Sequence, residues 1–259
     1  MELSISLRKL ISSLDSAKHR REHGLFIAKG HKCVVDTLNH FETVYLAATH
    51  EWLSANKSIL PNGVDPMQVS SRDLKRLSDF GSAPDVVAVY RIPDRQLDVD
   101  SLKNQLVIAL DNVQDPGNLG TIMRTADWFG IDTILCSRST VDCYSPKVVQ
   151  ATMGAISRVA VYYCDLAATL RQLKHEMPVY GTFLDGNNIY TETLSPGGVI
   201  VMGNEGRGVS SEVAAEISHK LLIPSYPAGV ATSESLNVGV ATAITVSEFR
   251  RSQIIKYNT

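Results

Sequence analysis

From Gln105 to Pro224 the chain repeats one pattern, a short and nearly unbroken apolar run followed by residues at helical spacing. The runs fall at Leu106 to Leu110, Asp132 to Cys136, Val159 to Tyr163, Val179 to Leu184, Val199 to Gly203 and Leu221 to Pro224. Helical patterns cover Pro146 to Met153, Leu166 to His175, Ser211 to Ile217 and Asn237 to Lys256. A strand with one face in water alternates apolar and polar residues; runs that do not alternate are buried on both faces. Such strands, separated by helices, make a parallel sheet covered on both sides. Ligands of these sheets bind outside the carboxyl ends of the strands. The loops after the runs are therefore where chemistry should be sought.

Three of those loops are unusual. In the first, DNVQDPGNLG leads into the helical stretch TIMRTADWFG. Gly117 and Gly120 allow a close backbone approach there, and Asn118 and Arg124 lie in the opening turns of one helix. The second loop reads Gly203–Asn204–Glu205–Gly206–Arg207–Gly208, a carboxylate enclosed by glycines. Its order, GxxGxG, is not the dinucleotide fingerprint GxGxxG, and the acidic residue expected about 20 positions on is missing, which disfavours a dehydrogenase. The third spans Leu221 to Arg251. An apolar run ends at Pro224, small and polar residues fill 225–234, and Ser235–Leu236–Asn237 opens a helical pattern. Ser235 is the expected N-cap. A strand, a loop and a helix start present free backbone N–H groups to a ligand; an ordinary buried crossover is the alternative reading of this segment.

The first part of the chain reads as a small α/β domain. Residues 4–14 have helical spacing, Leu25 to Ala28 and Thr43 to Ala48 read as strands, and HKCVVDTLNHF suits a helix on a sheet. Glu51 to Ala55 is a short helix, Val64 to Val69 a weaker strand, and Asp85 to Arg91 a strand. Ser71 is the expected cap of RDLKRLSDF. Lys18, His19, Arg20, Arg21 and His23 form a basic cluster, either a solvated helix end or a phosphate-contacting patch. The polar, unpatterned stretch from Ile92 to Asp100 reads as a linker. The expected organisation is a domain over 1–92, a linker over 93–104 and a second domain over 105–259.

A formal net charge of −2 gives no global basic field, so a nucleic-acid partner must be met by local patches. The cysteines, Cys33, Cys136, Cys143 and Cys164, show no CxxC pairing. That argues against a zinc site or a disulfide framework and fits a reducing compartment. The N-terminal MELSISLRKL lacks the apolar core of a signal peptide, and no apolar run approaches membrane-spanning length. A soluble, cytoplasmic protein with no metal and no membrane partner is expected.

The stretches NVQDPGNLGTIMRTADWFG, VIVMGNEGRGVS and LLIPSYPAGVATSESLNVGVATA resemble, in that order, the three motifs of the SpoU (TrmH-like) family of RNA ribose 2′-O-methyltransferases. The resemblance covers about Gln105 to Arg251. It implies a fold of the SPOUT class, an α/β parallel-sheet domain closed by a deep trefoil knot, although knots are rare exceptions on general grounds. The first part, KHRREHGLFIAKGHKCVVDTL, is similar to the small RNA-binding domain that many members carry in front, related to a ribosomal-protein (L30e-like) fold. It reads Ala28–Lys29–Gly30 where the family usually shows a Glu before the glycine, and the chain has Gln150 where relatives often have Arg.

Position by position, the resemblance implies S-adenosylmethionine as cofactor, held by Thr182, Gly203, Asn204, Ile223 and Leu236. It implies a catalytic cluster of Asn118, Arg124, Glu205, Ser235 and Asn237, and a homodimer. Lys18, Arg20 and Arg21 are the expected RNA contacts. Family mechanisms make the arginine matching Arg124 the base for the 2′-hydroxyl. Neutralising a guanidinium of pKa about 12.5 at neutral pH costs at least roughly 7 kcal/mol, which favours a clamp on the adjacent phosphate instead. Ribosomal RNA is favoured over transfer RNA as substrate, and a non-catalytic RNA-binding protein is the alternative from another class.

Overall fold

The structure, a computed structural model, describes residues 4–77, 83–227, 230 and 233–257. The end of the helical pattern expected over 72–80 and part of the loop over 225–234 lie outside the described residues. In chain order the first elements are α1 (Ile5–Ser13), α2 (Ala17–His23), β1 (Leu25–Lys29), α3 (His31–Thr37), β2 (Thr43–Ala48), α4 (His50–Ala55), β3 (Met67–Gln68), α5 (Ser71–Lys75) and β4 (Val86–Arg91). Then come β5 (Leu106–Leu110), α6 (Pro116–Trp128), β6 (Thr133–Ser137), α7 (Pro146–Thr152), β7 (Ala160–Cys164) and α8 (Leu166–Leu173). The chain finishes with β8 (Val179–Asn188), β9 (Gly198–Met202), α9 (Ser211–Ala214), β10 (His219–Leu222) and α10 (Val238–Tyr257).

Two compact units result, residues 1–94 with 142–157, and residues 95–141 with 158–259. The first crossing falls at the polar stretch read as a linker, but α7 packs in the first unit, which a linear division at 93–104 does not include. In the first unit the strands run in the order β1-β4-β2-β3. One face of that sheet buries Ile11, Leu14, Ile27, Leu74 and Val89. The other carries an aromatic group in which Phe26 lies 5.0, 5.4 and 4.8 Å from the ring centroids of Phe41, Tyr90 and Tyr144. Tyr144 comes from the returning segment, and the Cys33 thiol points to the Val149 carbonyl of α7 at 3.8 Å. Burial, with the nearby Asp36 charge, pushes that thiol up to about 12, so it is not a thiolate nucleophile. The cap of α5 is Ser70, one residue before the expected Ser71: its hydroxyl accepts from the Asp73 amide at 3.2 Å. The strand expected over 64–69 shrinks to Met67–Gln68.

The second unit is the sheet anticipated from the unbroken apolar runs. Its strands are all parallel, in the order β10-β8-β9-β5-β6-β7. Val107, Ala109, Val199 and Val201 point to one face, covered by Leu166, Leu170 and Leu173 of α8 and Val213 of α9. On the other face Phe249 of α10 meets Tyr180 edge-on at 4.9 Å. Fully burying a side chain of this kind contributes about 1.5–3 kcal/mol, and two covered faces explain why the strands tolerate no polar alternation. The order has a switch point. From β5 the chain goes on to β6 and β7 on one side, whereas β9, also beside β5, leads to β10 on the other. The carboxyl ends of β5 and β9 therefore open onto the crevice where ligands of such sheets bind.

Candidate active site

The loop after β9 is built around side-chain amides and missing Cβ atoms. Asn204 accepts at Oδ1 from the amides of Gly206 and Arg207, both at 3.0 Å, and bridges to Gly208 through its backbone. A Cβ on Gly203 would lie 2.3 Å from the Gly208 carbonyl carbon, so no other residue fits there. Across the switch point, Asn204 Nδ2 donates to the Asn112 carbonyl at 2.8 Å, tying the loops after β9 and β5 together. Asn112 itself is left-handed, with φ of 59°, a conformation asparagine tolerates better than most residues. Its amide donates to Ser137 Oγ at the end of β6, 2.9 Å away.

The helix after β5 starts under control of its cap: Asp115 accepts from the Asn118 amide at 2.8 Å, and Pro116 occupies the first turn. Asn118 is thereby aimed at the two other loops. Its Nδ2 donates to Glu205 Oε1 at 2.6 Å, and its Oδ1 accepts from Asn237 Nδ2 at 2.9 Å. Asn237, not Ser235, caps α10: its Oδ1 accepts from the amides of Gly239 and Val240 at 3.0 and 3.3 Å. Both residue types suit an N-cap, and the contact with Asn118 decides between them. Close packing of α10 on α6 depends on a further glycine, since a Cβ on Gly239 would come within 3.2 Å of the Thr121 side chain.

Beside this network lies a cavity of about 650 Å³, walled by the outer part of β8, the loop after β9, and the segment from the end of β10 to the start of α10. The residues expected to hold the cofactor, Thr182, Gly203, Asn204, Ile223 and Leu236, all line it, as do Glu205 and Ser235 of the expected catalytic cluster. Asn118 and Asn237 join it through Glu205. Arg124 does not. It stands exposed on α6, outside the lining, and its guanidinium makes no ion pair or side-chain hydrogen bond among the described residues. Glu205 consequently orders Asn118 rather than the surroundings of Arg124.

The wall that carries Thr182 holds further residues outside the expected set. β10 pairs with β8 at Lys220↔Gly181 and then at Leu221↔Asn187, so 182–186 arches out of the register. Phe183, Leu184 and Asp185 of this arch line the cavity. Gly186 lets β10 pass, since a Cβ there would lie 2.5 Å from the Leu221 carbonyl carbon. Lys220 clasps the arch, with Nζ 2.8 Å from Asp185 Oδ2 and 4.9 Å from the Phe183 ring centroid. That hydrogen bond, with the lysine's charge, holds the Asp185 carboxyl below its usual range. The only sequence signal for the arch is the run Val179 to Leu184 continuing into Asp185 and Gly186 without a break.

The basic cluster of the first unit divides. Arg20 is 2% exposed, with Nη1 donating to the carbonyls of Leu14 and Asp15 at 2.7 and 2.9 Å and Nη2 to Asp142 at 2.7 Å. It is a structural arginine, and the expectation of an RNA contact at Arg20 is corrected: helical phase turns it inward while Lys18 and Arg21 face out. No cluster of metal-binding side chains occurs among the described residues, and no described helix is long and apolar enough to cross a membrane.

The lining suits the implied cofactor. Met202, Leu221, Leu222, Ile223, Leu236 and Val238 offer apolar walls for a purine, and a cavity of this size is typical of small-molecule sites. Asp185 is paired with Lys220, which leaves Glu205 and Glu234 against one arginine, Arg207, among the described lining residues. That balance does not favour a polyphosphate.

A parallel α/β sheet with a polar network of loops at its switch point and a cavity beside them defines a class: α/β proteins that bind a small molecule at their strand ends. Comparison with known proteins narrows it. Residues 105–247 match the SpoU rRNA methylase family, and the chain belongs to that family. Residues 8–88 match an MRM3-like substrate binding domain. The chain is 29% identical to the 23S rRNA guanosine 2′-O-methyltransferase RlmP of Bacillus subtilis over 92% of its length and 93% of that protein. A putative RNA methyltransferase of the TrmH family from Porphyromonas gingivalis superposes with a TM-score of 0.88 at 38% identity, covering 97% and 99% of the two chains. An AdoMet-bound rRNA methyltransferase from Sinorhizobium meliloti gives 0.83 at 30% identity, covering 97% of each.

Proposed function

We propose that this protein transfers a methyl group from S-adenosylmethionine to a ribose 2′-hydroxyl of ribosomal RNA. The observation that carries the reading is the convergence of Thr182, Gly203, Asn204, Ile223 and Leu236 on one cavity next to the Asn118–Glu205–Asn237 network. The bound cofactor supplies an activated methyl on sulfur. The chain's residues position the ribose and compensate charge: Asn118 and Asn237 hold the loops that frame the acceptor, and Glu205 fixes the Asn118 amide. Arg124 is a phosphate clamp that stabilises developing alkoxide charge, since a guanidinium is too costly to neutralise for use as a base. Transfer RNA is the second substrate class. The match to a family named for rRNA methylation and the likeness to an enzyme named for 23S rRNA favour the first.

The finer architecture belongs to the same proposal. Membership of the SpoU family and the likeness to a TrmH-family structure support a deep trefoil knot. The first unit, a covered four-stranded sheet whose sequence matches an MRM3-like substrate binding domain, is an L30e-like fold in this reading and supplies RNA affinity, and the second carries the methyl-transfer site. A homodimer is supported by the apolar surface of α6 and the start of α10. Trp128, at the end of α6, is 85% exposed, and Val240, near the start of α10, is 48% exposed. A second copy on this patch would enclose Arg124, which stands outside its own cavity. Cysteines without disulfides support a cytoplasmic setting.

The test uses the full chain, S-adenosylmethionine with a tritiated methyl, and ribosomal RNA freed of protein. Label in 2′-O-methylnucleosides after digestion is the expected result, with S-adenosylhomocysteine binding by calorimetry. Label in base-methylated nucleosides, or none, refutes the reading.

A further inference from the structure

The arginines of the second unit fall into two sets. Arg158, Arg171 and Arg251 each pair with a carboxylate, and Arg250 donates to the carbonyls of Phe129 and Gly130. Arg95, Arg124, Arg138 and Arg207 make no ion pair and no side-chain hydrogen bond among the described residues. Arg95 precedes β5. The other three belong to the elements that follow the carboxyl ends of β5, β6 and β9. A unit that engages Arg158, Arg171, Arg250 and Arg251 yet leaves Arg138 and Arg207 exposed at the carboxyl ends of its strands presents an anion-binding edge there.

Two of them, Arg138 and Arg207, stand on rigid supports and have no part in the proposed methyl transfer. Arg138 sits at the tip of a turn closed by the Thr140 amide donating to the Ser137 carbonyl at 3.0 Å. Thr140 is buried and its hydroxyl donates to the Leu110 carbonyl at 3.2 Å, anchoring the turn to β5. Arg207 sits in the Asn204–Gly208 loop, its amide fixed by Asn204. The supports are themselves joined, because Asn204 donates to the Asn112 carbonyl and the Asn112 amide donates to Ser137. The result is a hydrogen-bonded ridge across β9, β5 and β6, two strand spacings or roughly 10 Å, with a guanidinium at each end and the Asn118 network beside it.

We propose that Arg138 and Arg207 bind backbone phosphates on either side of the target nucleotide, so that the RNA strand lies along this ridge with its ribose over the switch point. The assignment rests on the functional reading above and extends it by giving the methyl-transfer unit its own RNA contacts. The fork of a guanidinium suits bidentate phosphate binding. Held on fixed turns, it loses side-chain freedom on binding but little backbone freedom.

The experiment measures binding of a fluorescein-labelled, mixed-sequence single-stranded RNA to the full chain against salt concentration, with S-adenosylhomocysteine present. Arg138→Ala and Arg207→Ala should each reduce the slope of log K against log salt by about 0.7, and the double variant by about 1.4. At about 0.1 M salt the double variant should bind roughly tenfold or more weakly. The lysine variants should keep the slope but bind more weakly, because the charge remains and the fork does not. A double variant with the parental slope overturns the proposal while leaving the functional reading intact. A loss of S-adenosylhomocysteine affinity beyond about tenfold in Arg207→Ala would give that residue to the cofactor's carboxylate and overturn its half of the assignment. Failure of the parent to bind S-adenosylhomocysteine at all defeats the functional reading, and this proposal with it.

Discussion

Arg20→Ala separates two roles for one residue, and its magnitude follows from the contacts. The substitution removes both donors to the carbonyls of Leu14 and Asp15 and the partner of Asp142. Breaking a buried ion pair from one side costs about 3–5 kcal/mol. The Asp142 side chain is 32% exposed and recovers part of its hydration, so the lower end applies to that pair. The stranded carbonyls each add about 1–3 kcal/mol if water cannot reach them. These costs overlap, and about 3–4 kcal/mol is the expected total. For a unit of this size roughly 4 °C accompanies each kcal/mol, so the first unit should melt about 12 °C or more below the parent. Scanning calorimetry of the full chain measures this. Arg20→Lys should be nearly as damaging, because an ammonium cannot serve two carbonyls and a carboxylate with the fork's geometry. Below its melting transition the alanine variant should keep the parental salt slope for RNA, since a buried guanidinium neutralises no phosphate. An Arg20→Ala protein that melts within about 4 °C of the parent and shows a reduced salt slope would refute the reasoning.

Changing both Lys18 and Arg21 to Ala should lower the RNA salt slope by about 1.4, at about 0.7 for each phosphate no longer neutralised; an unchanged slope would make them a solvated helix face. Asn118→Ala breaks the link from Glu205 to Asn237 and should slow single-turnover methyl transfer by about 10²–10³, the scale for removing one positioned polar group. Gly203→Ala forces a Cβ within 2.3 Å of the Gly208 backbone and should abolish S-adenosylhomocysteine binding in calorimetry; binding retained within about threefold would mean that the loop can relax. Glu216, 4% exposed, has its carboxyl held below the usual range by hydrogen bonds from Lys174 and Arg171. Its stabilisation is therefore full above the unfolded carboxylate range near about 4.3 and is lost as pH falls through the lowered folded value. The gap in melting temperature between the parent and Glu216→Gln should be widest at neutral pH and close in acid; a gap independent of pH would show that the carboxylate's charge is not what matters.

The second unit's sheet was legible because burial on both faces removes alternation, and Val199 to Met202 or Leu106 to Leu110 admit no other reading. The three motif loops were legible for a related reason: glycines, asparagines and a lone carboxylate directly after such runs have no packing role to explain them. What stayed hidden depends on partners far away in the chain. Arg20 and Arg21 are adjacent basic residues on one short helix, and only Asp142, 122 positions further on, marks one of them as internal. The helical pattern of α7 shows that it buries a face but not which unit receives it. The arch at 182–186 arises from a break in pairing with β10, a strand over 30 residues later, and nothing in its composition announces that break.

The residue types in the network show why spacing in sequence became chemistry in space. β5 and β9 are neighbours, so loops some 90 residues apart face each other across one crevice, and the motif order along the chain is immaterial there. The amide at position 118 must donate to Glu205 and accept from Asn237 at the same time. An aspartate could accept but not donate, and would set a second negative charge against Glu205. A serine could do both but would not span the gap with two atoms in a fixed plane. Asn237 in turn spends its oxygen on the amides that open α10 and only its nitrogen on Asn118. Reversing that amide would leave the helix start uncapped and two oxygens opposed. The network thus has one consistent direction, from Asn237 through Asn118 to Glu205, and it ends on the carboxylate that lines the cavity. A substitution that keeps size but reverses hydrogen-bond sense, such as Asn118→Asp, breaks it as surely as a truncation.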